Sequence, residues 1–268
     1  MAASVSSFAG SVPEKYDRYL GPVLFEPYAK DIVSYIDPAK MDTVLEIACG
    51  TGRVTRYLRH LLPPAVHLVA TDLNQDMLAI AKKANEGKPV EWYIADAQDL
   101  HFADRSFSMV VCQFGFMFMP DKPKAFAEAY RVLQPTGSLL FNTWDSIENN
   151  EVFYLANNIV KSYFPDNPPV FYQVTFSMHD EKEIRSLLEA AGFRNIEINP
   201  VKKDLISPTA KEMAIGIVEG NPVYGFICER DPSLVDTIRN QVEKEIASKF
   251  GEKPLRARMQ AWVGRAWK

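Results

Sequence analysis

Three carboxylates and a closely spaced glycine pair are the residues of this 268-residue chain whose types and spacing suit chemistry. The first carboxylate and the glycines fall in one stretch, Val44-Leu45-Glu46-Ile47-Ala48-Cys49-Gly50-Thr51-Gly52-Arg53. Gly50 and Gly52 remove Cβ atoms that would keep a ligand off the backbone, and the turn aims amide donors and a helix N-terminus at whatever sits there. Such a turn suits a polar or anionic ligand. Glu46, two positions before the turn, is awkward beside a pyrophosphate and better suited to a cationic amino-acid headgroup. Asp72 follows the turn by about 20 residues, the offset at which α/β nucleotide folds bring an acid onto ribose hydroxyls. Its alternative is to cap a helix that starts near Gln75. Asp96 alone reads as a turn residue, but three successive strands each ending in an acid form a more specific pattern. In an open α/β sheet, ligands bind outside the carboxyl ends of the strands, so Glu46, Asp72 and Asp96 would converge on one crevice.

The elements that must position these groups follow from hydrophobic periodicity. Apolar runs ending at Glu46, at Asp72 (His67 onward) and at Asp96 (Val90 to Ala97) read as buried strands. Helices are expected over 54–61, ended by Pro63-Pro64, and from near Gln75. Phe107 to Gln113 is a fourth strand, Lys122 to Leu133 a helix, Gln134 to Gly137 its end, and Ser138 to Trp144 a fifth strand. Asp180 to Ala191 reads as a helix with Gly192 after it, and Phe193 to Val201 as a sixth strand. Three helices are expected at 208–219, 222–230 and 232–250, with prolines opening two of them at the first helical position. Leu255 to Lys268 alternates as a last strand. Near the N-terminus, a polar tail to about Val12 precedes Tyr16-Asp17-Arg18-Tyr19-Leu20-Gly21-Pro22 and an amphipathic stretch from Leu24 to Ile36.

Composition narrows the function. The chain is 47% hydrophobic and 24% charged, as in ordinary globular proteins. A net charge of −4 without a dense Lys/Arg cluster leaves no footprint for nucleic acid. No apolar run approaches the roughly 20 residues of a membrane span, and Met1 to Phe8 lacks both the basic start and the apolar core of a secretory signal. Cys49, Cys112 and Cys228 are too scattered for a disulfide framework or a zinc site, which points to free thiols, no metal and a cytoplasmic setting.

The glycine stretch and the block ending Arg131-Val132-Leu133-Gln134-Pro135-Thr136-Gly137-Ser138-Leu139-Leu140-Phe141 resemble class I S-adenosylmethionine-dependent methyltransferases of the small-molecule, quinone-biosynthesis-like group. The resemblance covers roughly residues 16–145, and more loosely the last two strands. It implies a Rossmann-like α/β fold with a seven-stranded, mostly parallel sheet whose last strand runs antiparallel between the fifth and sixth. The expected organisation is a single methyltransferase domain with its core at about 37–145, 180–204 and 255–268, helical caps at 146–178 and 205–252, and an N-terminal lid at 1–36. Ala48 stands where the family often has its first glycine. The resemblance implies a cofactor set of Tyr16, Tyr19, Glu46, Ala48, Gly50, Thr51, Gly52, Asp72, Leu73, Met77, Asp96, Ala97 and Gln113. In it Tyr16, or secondarily Tyr19, reaches the methionine carboxylate, and Leu73 and Met77 flank the adenine. Asp96 and the Ala97 amide meet the adenine edge, and Gln113 lies near the sulfonium. The run from Phe116 to Met119 reads as core rather than pocket.

The expected reaction is transfer of a methyl group from S-adenosylmethionine, leaving S-adenosylhomocysteine, to a small apolar or aromatic metabolite. Seven aromatic residues between 146 and 178 suit a cap better than a solvated connector. Asn167-Pro168-Pro169-Val170 reads as a proline turn. His179 is the weak candidate for a general base, and no catalytic residue is assigned firmly. A nicotinamide-dependent oxidoreductase is the rival enzyme, though Thr55 occupies the place of its third glycine. A non-catalytic S-adenosylmethionine-binding protein is a third reading. Oligomeric state stays open, since apolar helices at 205–252 could pair two subunits into a homodimer.

Overall fold

The computed structural model describes residues 10–268, so the expectations for Met1 to Phe8 lie outside the described residues. Seven strands form one sheet: β1 (Thr43–Glu46), β2 (His67–Asp72), β3 (Glu91–Ile94), β4 (Phe107–Gln113), β5 (Leu133–Trp144), β6 (Arg194–Ser207) and β7 (Leu255–Trp267). Their order is β3-β2-β1-β4-β5-β7-β6. The pairs β1–β2, β2–β3, β1–β4 and β4–β5 are parallel, and β5–β7 is antiparallel, as the sequence resemblance implies. The helices are α1 (Val12–Lys15), α2 (Glu26–Val33), α3 (Arg53–Leu61), α4 (Gln75–Ala84), α5 (Lys122–Val132), α6 (Glu151–Tyr163), α7 (Phe171–Thr175), α8 (Glu181–Ala191), α9 (Ala210–Glu219), α10 (Val223–Arg230) and α11 (Leu234–Phe250).

The chain divides into two compact units. The sheet unit comprises Tyr28–Trp144, Met178–Val201 and Ala261–Lys268. Parallel strands here are covered on both faces, so β1 and β4 read as continuous apolar runs. Val44, Leu45, Val110 and Val111 are fully buried. On one face Ala29, Ile32 and Ile36 from the α2 region and Val54 and Leu58 of α3 pack with Val44, Leu68, Met109, Leu140 and Val263. The Tyr28 hydroxyl donates to the Val201 carbonyl at 3.1 Å. Phe114 stacks on Trp144 with centroids 4.0 Å apart.

The helical unit comprises the described residues up to Pro27 with Asp145–Ser177 and Lys202–Gln260. Tyr16–Phe25 forms a π-helical segment, which the sequence reading takes for a leader before an amphipathic helix. The Glu26 amide reaches back five residues to the Gly21 carbonyl, and Pro22 inside the segment has no amide to give. The α9 helix packs against this segment, with Gly216 lacking the Cβ that would lie 2.6 Å from a Leu20 methyl. Glu219 at its end binds Lys15 at 2.5 Å and Arg239 at 2.8 Å. Phe153, Phe171, Tyr172 and Phe176 are buried together, with Phe153 6.2 Å from Tyr172 and 5.8 Å from Phe176.

Several boundaries shift for local reasons. β3 stops at Ile94, short of the expected Ala97, because Asp96 turns the chain and its carbonyl accepts the Asp99 amide at 3.0 Å. Gln134 to Gly137 belongs to β5 instead of forming a separate turn. No proline opens α9, α10 or α11 at the first helical position: Pro222 is the cap residue of α10, and Thr209 and Ser233 stand between Pro208 and Pro232 and their helices. The Thr209 hydroxyl accepts the Glu212 amide at 3.0 Å, a side-chain cap that a proline could not supply.

Candidate active site

β1, β2 and β3 are adjacent and parallel, so their carboxyl ends bring Glu46, Asp72 and Asp96 to one edge of the sheet. Between β1 and α3 the chain makes the glycine turn. Ala48, Gly50 and Gly52 all have positive φ (52°, 56° and 75°). The two glycines serve different ends. A Cβ on Gly50 would meet nothing within 4 Å, so this side of the turn is open to a ligand. A Cβ on Gly52 would lie 2.8 Å from the Asn85 side-chain nitrogen and 3.0 Å from Ala81, so Gly52 lets α4 approach the turn. Ala48 carries a methyl in the left-handed region, which costs roughly 1–2 kcal/mol. Space for that methyl comes from Gly115, whose own Cβ would sit 2.7 Å from it.

Asp72 holds the turn in shape. One carboxylate oxygen accepts the Gly50 amide at 2.8 Å and the other accepts the Asn74 amide at 2.8 Å. Each oxygen keeps a lone pair for a further donor. Burial pushes the Asp72 carboxyl above its usual range, against the pull of the amides of Asn74, Gly50 and Leu73. The helix-capping alternative goes instead to Asn74, whose side chain accepts the Asp76 and Met77 amides at 2.9 and 3.0 Å. Leu73 is 46% exposed at this edge, whereas Met77 is buried. Asp96 accepts the backbone and side-chain nitrogens of Gln98 at 2.8 and 3.0 Å, and Ala97 beside it is buried.

Glu46 is buried against α3. Its carboxyl is 1% exposed and accepts the Thr55 hydroxyl of α3 at 2.5 Å. Burial, reinforced by the neighbouring Asp72 charge, pushes its pKa up to about 8 despite the Thr55 bond. Thr51 and Cys49 are buried in the turn, and burial raises the Cys49 thiol well above its ordinary value. The Cys112 thiol rises to about 12 for the same reason, so both sulfurs stay protonated.

At the end of β4, Gln113 accepts the Asn142 side-chain amide at 3.4 Å. Phe114 has φ 52°, and its amide donates to both the backbone and side-chain oxygens of Asn142, at 3.1 and 3.0 Å. Asn142 and Gly115 were not singled out in the sequence. Their signals were a lone amide in the apolar run Leu139-Leu140-Phe141-Asn142 and a glycine directly after a strand. Phe116 and Met117 are fully buried, as core residues. Tyr16 and Tyr19 belong to the helical unit. Tyr16 stacks on Phe25 at 4.8 Å, and the Arg18 guanidinium lies 5.1 Å over the Tyr19 ring. His179 is exposed, and its backbone carbonyl accepts the Trp262 indole at 2.9 Å. Among the described residues, no cluster of three or more His, Cys, Asp or Glu could hold a metal ion, and no helix is long and apolar enough to cross a membrane.

These features fit S-adenosylmethionine. Open space lies over Gly50, and Asp72 offers acceptors for two hydroxyls from a position fixed by backbone amides. An exposed apolar side chain follows at Leu73, and a second acid stands at the end of the next strand. Residues 45–141 match the family described as methyltransferase domain. A demethylmenaquinone methyltransferase of Staphylococcus aureus is 27% identical over 207 residues, 70% of this chain and 84% of the relative. Among solved structures, a phosphoethanolamine N-methyltransferase 2 of Haemonchus contortus in complex with S-adenosyl-L-methionine superposes with TM-score 0.63 at 18% identity, over 98% of this chain and 58% of that one. A methyltransferase of Aquifex aeolicus gives TM-score 0.55 at 20% identity, over 70% of this chain and 91% of that one. Strand order, glycine turn and family match together define a class I S-adenosylmethionine-dependent methyltransferase. The chain resembles quinone-biosynthesis members of that class, and S-adenosylmethionine is its methyl donor.

Proposed function

We propose that this enzyme methylates a small apolar or aromatic metabolite at an oxygen, carbon or nitrogen atom. The observation that carries the reading is the glycine turn after β1, open over Gly50 and held by the Asp72 carboxylate at the end of β2. The relative that acts on demethylmenaquinone supports an aromatic acceptor, and the net charge of −4 argues against a polyanionic one. In this reading Asp72 accepts the ribose hydroxyls, and Leu73 lies against the adenine, whose edge meets Asp96 and the Ala97 amide. Met77, at the start of α4, flanks the adenine with Leu73. Glu46 and the amides of the turn from Ala48 through Thr51 to Gly52 hold the methionine headgroup. Gln113 orients the acceptor.

When bound, the cofactor supplies a methyl group already activated by its sulfonium. The chain's residues therefore need chiefly to hold the acceptor in line and keep water away. A proton acceptor is needed only for a phenol or an acidic carbon, and His179 is the candidate for that role. The test is calorimetric titration with S-adenosylmethionine, S-adenosylhomocysteine and NAD, followed by a methyl-transfer screen over phenols and quinols. Adenosyl ligands should bind and NAD should not, and Asp72→Ala should weaken adenosyl binding by about 1–3 kcal/mol, roughly 5- to 150-fold. Unchanged affinity in that variant would remove the ribose assignment, and transfer to none of the acceptors would remove the substrate class.

A further inference from the structure

At the opposite end of the strands lies a cavity of about 610 Å³ that the methyl-transfer reading does not use. It lies wholly within the sheet unit, beyond the end of α2 at Val33 and beside the Ser138–Trp267 pair of β5 and β7. Asp42, before β1, forms part of it, whereas Glu46 ends that strand, so about 13 Å of chain separates it from the start of the glycine turn. Arg265 and Trp267 alternate onto the same face of β7 as the core residue Val263.

The guanidinium of Arg265 lies near two aromatic rings, 5.8 Å from the Tyr35 centroid and 4.9 Å from that of Trp267. Its side chain is 31% exposed, and among the described residues its one ion pair, with Glu197, is long at 3.7 Å. Among the described residues it donates no hydrogen bond, although a guanidinium carries five donors in a planar fork suited to carboxylate and phosphate. The acids around it are already engaged. Asp37 pairs with Lys40 at 3.2 Å, and Asp42 accepts the Thr43 hydroxyl at 3.0 Å and the Gln134 amide at 3.4 Å. The hydroxyls of Thr136 and Ser138 line the same space.

We propose that this cavity binds a small planar anion, an aromatic ring bearing a carboxylate or phosphate, with the anionic group on Arg265 and the ring against Tyr35 and Trp267. The ligand occupies a second site at the amino ends of the strands and does not compete with S-adenosylmethionine. The inference is independent of the identity of the methyl acceptor.

The experiment is calorimetric titration of the full chain, with and without saturating S-adenosylhomocysteine, using 4-aminobenzoate, adenosine 5′-monophosphate and inorganic phosphate as probes. An aromatic probe should bind equally well in both states and at least tenfold more weakly to Arg265→Gln, with adenosyl affinity unchanged. Thr136→Trp, which fills the mouth and keeps the guanidinium, should weaken it as well and guards against a misfolded Arg265 variant. The comparison of 4-aminobenzoate with the nucleotide tells a carboxylate ligand from a phosphate one. Inorganic phosphate binding as tightly as the nucleotide would overturn the planar requirement. No binding by either aromatic probe, or competition with S-adenosylhomocysteine, would overturn the site.

Discussion

Two glutamates, one in each unit, are buried to nearly the same degree and behave in opposite ways. Glu46 in the sheet unit is 1% exposed and Glu219 in the helical unit 7%. Glu219 meets two cations, Lys15 and Arg239, and although burial pushes its carboxyl up, those partners hold it below the usual glutamate range. Glu46 has one hydroxyl, from Thr55, and a second carboxylate nearby, so burial prevails and its pKa climbs to about 8. Burial alone therefore says little about a carboxylate; the countercharge decides. A buried acid supplied with its own cations is part of the scaffold. One left without a cation, beside a glycine turn, is suited to a cation that arrives with a ligand.

The largest expected effect separates the two by pH. Glu46 holds a proton in the folded state up to about pH 8, whereas the unfolded chain releases it near the ordinary value of 4.5. Its contribution to stability is full below about 4.5 and is lost as pH rises through about 8, at up to about 1.4 kcal/mol per pH unit. The melting temperature of the wild-type protein should fall between about pH 5 and 8 and level off above, and that of Glu46→Gln should stay level over this range. A level wild-type curve would mean that Glu46 is ionised throughout, and the contrast would collapse. Glu219 carries the reverse sign. Its lowered pKa gives stability that is present above the ordinary glutamate value and lost in acid. Glu219→Gln should cost about 1–3 kcal/mol at neutral pH by urea unfolding, and the difference from wild type should vanish in acid. A neutral effect at pH 7 would show that Lys15 and Arg239 are equally well served by water.

The sheet unit was more legible in the sequence than these pairings were. Strand ends at Glu46, Asp72 and Gln113 followed from apolar runs closed by polar residues, because parallel strands buried on both faces leave that trace. Helices α9, α10 and α11 were visible from their prolines, although none of these stands at the first helical position. What the sequence did not show was which side chains answer one another across distance. Lys15 and Glu219 are 204 residues apart, and nothing local couples them. The Gly115 vacancy that admits the Ala48 methyl is equally non-local. Glycine spacing predicted an open turn, but only geometry separates Gly50, facing open space, from Gly52, facing α4. Thr55 counted only as the absence of a third glycine, whereas its hydroxyl is the partner of the buried acid.

The smallest expected effect concerns that hydroxyl and sharpens the contrast most. Thr55 is fully buried and its bond to Glu46 favours the ionised carboxylate, the form a cationic methionine headgroup would seek. Thr55→Val keeps the shape and removes the donor, so Glu46 should stay protonated to higher pH. If Glu46 meets the headgroup, S-adenosylmethionine affinity near neutral pH should fall by about 0.5–1.5 kcal/mol, roughly 2- to 12-fold, and should recover only at a higher pH than in wild type. Thr55→Ser, which restores the hydroxyl, should return both the affinity and its pH midpoint. If Glu46 only braces α3 against the turn, Thr55→Val will lower the melting temperature and leave the pH midpoint of binding where it was. The pH midpoint thus distinguishes an acid that waits for a ligand's charge from one that, like Glu219, serves the fold.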